Sequence, residues 1–143
     1  MALDDIPVED GERIARIILI EKWVDRENMK PRPEAFLPYK HVELSVIRHR
    51  ELTEGELWEI GREVSAMREA GDKFGRRFPL LGRGDFLARD ARDLKLDVKS
   101  AEGSGLPRNH ADVVGWPPEK PAQMMQAIKI AARATFVAPP AIS

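Results

Sequence analysis

Hydrophobic and polar positions change period several times along this chain, and the changes delimit its elements. Residues 13–24 are apolar at both odd and even positions and rich in β-branched side chains. A helix would spread Leu19, Ile20 and Trp23 around its circumference. The segment therefore predicts a central strand buried on both faces, its apolar run from Ile14 to Ile20 interrupted only by Arg16. Pro31, Pro33 and Pro38 exclude a ladder or helix over 28–38 and predict a stiff loop. His41 to Arg48 alternates, with Val42, Leu44 and Val46 on one side and His41, Glu43, Ser45 and Ile47 on the other. That is the pattern of a half-buried strand.

Spacing then becomes helical. Thr53 and Glu56 form a capping-box signature, and Leu57, Ile60, Val64 and Met67 follow on one face with Gly61. Gly71 ends the helix. Trp58 lies one position beyond that face, where it either widens the buried stripe or marks a partner surface. Residues 71–84 read as a loop in which Arg76, Arg77 and Arg83 alternate with Phe78, Leu80 and Leu81. Asp85 caps a short helical turn to Asp93, and Lys95 to Lys99 alternates as an edge strand. Asn109 to Val114 is a further short strand. Pro121 opens a helix to about Phe136, with Met125, Ile128, Ala132 and Phe136 as its packed face.

These elements predict one α+β domain over residues 13–136 in the order β-β-α-β-β-α. A mainly antiparallel sheet of about four strands is expected, with both amphipathic helices on the face holding Val42, Leu44 and Val46. An acidic, flexible lead-in over 1–12 and a disordered, Pro-rich tail over 137–143 flank it.

Composition narrows the classes. A chain of 143 residues, 43% hydrophobic, suffices for one core. Lys plus Arg number 23 against 24 Asp plus Glu, a net charge of -1, which argues against a sequence-independent nucleic-acid binder but allows a local basic patch. Without Cys there is no disulfide, zinc–thiolate site or cysteine nucleophile. The longest apolar run, Ile17 to Ile20, is far short of the ~20 residues a bilayer needs. Acidic residues near Met1 are also unlike a signal peptide. A cytoplasmic protein without membrane contact is expected.

Histidine carries the candidate chemistry, because the chain has only three. His41-x-Glu43 and His110-x-Asp112 each place an imidazole and a carboxylate on one strand face, ~6–7 Å apart along the strand. If the two strands are neighbours, the four groups converge. Such a set suits general acid–base work on a phosphodiester, each imidazole oriented by its acid. It also suits a single divalent metal with open positions for water. Arg48, Arg108 and Arg83 are the arginines expected to meet substrate charge, since guanidinium geometry matches phosphate oxygens. No H-E-x-x-H, phosphate loop, G-x-G-x-x-G or G-x-S-x-G is present.

The layout is similar to that of the two-histidine phosphoesterases, whose lobes each contribute a His-x-Ser/Thr strand. Here positions 43 and 112 are acids where that family needs a hydroxyl, so none of its residue roles carries over. The expectation is a small phosphodiester- or nucleotide-processing enzyme, with no cofactor or one divalent metal. The alternative is a non-catalytic interaction module of the accessory, immunity or antitoxin type. It would bind a protein partner through Trp58 and Met124–Met125.

Overall fold

Six strands form the main sheet of the computed structural model, which describes residues 6–38, 42–103 and 105–140. The elements are β1 (Arg13–Ile18), β2 (Val24–Asp25), β3 (Lys30–Pro31), β4 (Leu44–Arg48), α1 (Glu54–Ala70), β5 (Gly82–Leu87), α2 (Ala88–Arg92), β6 (Asp97–Ser100), β7 (His110–Val114), α3 (Lys120–Arg133) and β8 (Thr135–Val137). The sheet runs β6-β7-β4-β1-β5-β8, and every neighbouring pair is antiparallel. β2 and β3 pair separately. The α+β class and antiparallel sheet are as the sequence predicts. The six strands exceed the four expected, and the helices occupy both faces rather than one.

The two faces follow from strand periodicity. Ile14 and Ile18 of β1 join Leu44, Val46, Phe86 and Val113 in the main core, against Ala127, Ile130 and Ala131 of α3. Ala15 and Ile17 point the other way, where with Ile47 they meet Leu57 and Ile60 of α1. Ile47, on the polar side of the sequence alternation, anchors the second core. A sheet apolar on both sides needs a layer on each. α1 therefore covers the face opposite Leu44 and Val46.

α1 begins where its capping box predicts. Thr53 Oγ1 accepts from the Glu56 amide at 3.1 Å, and Glu56 Oε1 accepts from the Thr53 amide at 3.0 Å. Thr53→Ala should lower stability by ~1 kcal/mol through the lost cap, read as a shifted urea midpoint at unchanged slope.

β5 replaces the loop and capped turn expected over 82–87, and its inconspicuous sequence has a physical cause. Gly82, Gly84 and Phe86 face the main core. A Cβ on Gly84 would lie 2.9 Å from the Phe36 ring, and Phe36 meets Phe86 edge to face at 5.6 Å. Ring packing onto glycine supplies the apolar contact that β-branched residues would give elsewhere. On the other face Arg83 and Asp85 neutralise each other at 3.0 Å.

α3 is rotated from the expected setting. Gln123, Ala127, Ile130 and Ala131 are buried, whereas Met125 and Ile128 are exposed and Phe136 belongs to β8. Alanines face the 3-10 turn at Pro33–Phe36 because that turn fills the space between helix and sheet. Residues 6–12, expected as a flexible lead-in, pack on the body: Val8 is buried and Asp10 pairs with Arg92 at 2.8 Å. Among the described residues no helix is long and apolar enough to cross a membrane.

Candidate functional site

Strand register assembles the site. β4 and β7 pair with Ser45 opposite Asp112 and Ile47 opposite His110. Directly opposed residues of an antiparallel pair share a face. Glu43, Ser45, His110 and Asp112 therefore all lie on the α1 side of the sheet, beside the helix rather than beneath it. Three of the four predicted acid–base residues meet there. His41, the fourth, lies outside the described residues.

His110 is buried, at 5% exposure. Its Nδ1 donates to the Ala101 carbonyl at 3.0 Å, and because a carbonyl only accepts, that nitrogen carries the hydrogen. Nε2 then faces Asp112 Oδ1 at 3.5 Å. This oxygen is buried and takes no hydrogen bond. Burial pushes the Asp112 carboxyl above its usual range; the His110 charge opposes the rise, and the charge and hydrogen bond of Glu43 add to it. The raised carboxyl and the oriented imidazole thus lie side by side in one buried cluster.

A groove of about 200 Å³ opens at His110, lined also by Arg16, Ser45, Val64, Met67 and Leu106. Arg16 reaches it through a gap in the sheet. β1 and β4 pair at Ile14↔Arg48 and Ala15↔Ile47 and then part. The Arg16 guanidinium spans the opening, donating to the carbonyls of Ala35 at 2.8 Å and Ser45 at 3.2 Å. Trp23 lies against it, 5.1 Å from ring centroid to guanidinium carbon. Burial, and then the charge of Arg68, lowers the Arg16 pKa to about 10. No carboxylate pairs with Arg16 among the described residues. Its one sequence signal is that it is the lone charge inside an otherwise apolar central strand.

The arginines predicted to bind substrate are engaged elsewhere. Arg48 is fully buried on the opposite sheet face, held by Glu12 at 2.9 Å and by the carbonyls of Ile6 and Pro7. Arg108 pairs with Glu56 at 3.1 Å. Arg83 pairs with Asp85 and with Glu54 at 2.9 Å and lies over Trp58 at 4.7 Å. None of the three lines the His110 groove. Trp58, at 5% exposure under that guanidinium, is part of the interior and not a partner surface.

A second histidine cluster escaped the sequence reading. His49 Nε2 lies 3.3 Å from Asp85 Oδ1, which also accepts from Arg83. Continuing the alternation of β4 by one step beyond Ile47 would have placed His49 on the α1 side. Burial alone would raise the Asp85 carboxyl, but hydrogen bonds and charge from His49 and Arg83 outweigh it and hold it below the usual range.

Asp85 and Asp112 should therefore respond oppositely to pH. Asp85, with a depressed folded pKa, adds stability above the unfolded value of ~3.9 that is lost as pH falls through the folded value. Asp112, with a raised one, costs stability above its folded pKa, and the cost disappears below the unfolded value. Asp112→Asn should then stabilise the protein at pH 7, with no gain at pH ~3, while Asp85→Asn destabilises it at pH 7. Urea unfolding at both pH values reads this; the same sign for both variants at pH 7 would contradict it.

Among the described residues no three of His, Asp and Glu converge closely enough to hold a metal ion. No protein-family model, curated protein or solved structure matches this chain.

Proposed function

We propose that the chain processes a small anionic substrate of the phosphodiester or nucleotide class in the groove beside α1. The supporting observation is that a histidine beside a carboxylate and an arginine without a carboxylate partner among the described residues line one groove. Asp112 lies beside His110 Nε2 with Glu43 next to it, and Arg16 meets the negative charge. A water or substrate hydroxyl gives its proton to the lone pair of His110 Nε2 as its oxygen bonds to phosphorus. The P–O bond to the leaving group then breaks, and that oxygen takes the proton back from Nε2. His41, two positions before Glu43 in the sequence, is the second acid–base group of the proposal.

The test is turnover of RNA, DNA, cyclic nucleotides and dinucleotides, with and without chelator, by the parent and by His110→Ala, His41→Ala and Asp112→Asn. Turnover lost in the variants supports the proposal, and no turnover of any substrate by the parent rejects it. A second reading, a non-catalytic interaction module, rests on the outer face of α3, where Met125 is 58% and Ile128 44% exposed. Under that reading Met125→Asp abolishes capture of a partner and His110→Ala leaves it intact.

A further inference from the structure

Arg16 and Arg68 line a second depression of about 260 Å³, which shares Ile17, Ser45 and Val64 with the His110 groove. Arg68 projects from the second half of α1, its guanidinium carbon 4.8 Å from the Phe78 ring centroid. Neither arginine has an ion pair among the described residues. The other walls are Leu19, Ile20 and Trp23. Two cations thus face one partly enclosed, largely apolar space.

The more enclosed arginines of this molecule are ion-paired. Arg48, Arg83 and Arg92 each sit against a carboxylate. Arg16 is half-buried and Arg68 exposed, so their mutual repulsion is partly screened by water but remains a cost. An anion between the two guanidiniums would remove that cost and supply acceptors for their unused N–H groups. Phosphate suits them best: its tetrahedral oxygens accept several charge-assisted hydrogen bonds at once, and the guanidinium fork matches their spacing.

We infer that this depression anchors a phosphate group of an organophosphate, next to the groove where the reacting phosphodiester lies. The inference rests on the acid–base reading of that groove and narrows its substrate to molecules with a second, anchoring phosphate. The Leu19, Ile20 and Trp23 wall receives the adjoining organic body.

Adenosine 5′-monophosphate is the probe, because it has no diester to cleave and reports binding without turnover. Calorimetric titration should show it binding the parent. Arg68→Gln, which removes no internal hydrogen bond of the fold, should weaken binding about tenfold. Arg16→Gln should do the same if it folds. Raised salt should weaken binding, since the contact is ionic. Adenosine should bind about tenfold or more weakly than the nucleotide, and inorganic phosphate more weakly than the nucleotide. Unchanged affinity in Arg68→Gln, equal affinity for adenosine, equal affinity for inorganic phosphate, or no binding by the parent would each overturn the inference. Arg68-dependent binding in a protein that turns over no phosphodiester would reject the acid–base reading and leave the anchoring site standing.

Discussion

His110→Ala is expected to lower phosphodiester turnover by ~10²–10⁴-fold while the protein stays folded. The fold tolerates the change because His110 lies beside α1, outside the apolar contacts of Ala15, Ile17, Ile47, Leu57 and Ile60 that hold the helix. Its one hydrogen bond to the backbone, from Nδ1 to Ala101, can be replaced by water at the groove. Asp112→Asn should lower turnover comparably, since an amide cannot supply the negative charge that steadies a protonated His110 Nε2, yet stabilise the protein at neutral pH. Loss of activity with gain of stability separates a functional role from a structural one. The double variant should be little worse than either single one, because groups acting as a unit are not additive. Full activity in either single variant would end the acid–base assignment.

Arg48→Ala should cost ~3–5 kcal/mol, a large part of the margin of a domain this size. Arg48 is fully buried and answers Glu12, whose carboxylate is itself mostly buried, while two of its N–H groups satisfy the carbonyls of Ile6 and Pro7. Removing the guanidinium leaves an uncompensated charge and two carbonyls without their donor. Replacing both partners, as Arg48→Met with Glu12→Leu, should recover much of the loss, because neither charge then remains buried alone. Urea unfolding of the two singles and the double measures the coupling. A single-variant loss under ~1 kcal/mol would show that the pair is not buried as described.

Local pattern determined the pieces whose physics is local. The start of α1 was legible because the Thr53–Glu56 capping box is a contact between near neighbours in sequence. The central place of β1 followed from its apolar residues at both parities, and the edge place of β6 from its charges. Glu43, His110 and Asp112 were legible as one face because strand period is fixed by the backbone, whatever the partner. Pairing was not. Only the tertiary structure set Ser45 opposite Asp112, and so turned three scattered residues into a cluster. Tertiary packing likewise decided the roles of the arginines. Arg48 and Arg83 are neutralised by carboxylates 36 and 29 positions earlier in the chain, while Arg16, the charge inside an apolar strand, has none among the described residues. β5 was illegible because its packing comes from Phe36 lying on Gly84, a contact that leaves no hydrophobic pattern. The setting of α3 was misjudged for a related reason: helix period gives a stripe, but the space left by the 3-10 turn at Pro33–Phe36 selects small residues, so Ala127 and Ala131 face inward and Met125 faces out. Covalent geometry writes periodicity into the sequence, whereas pairing and close approach depend on which distant segments meet.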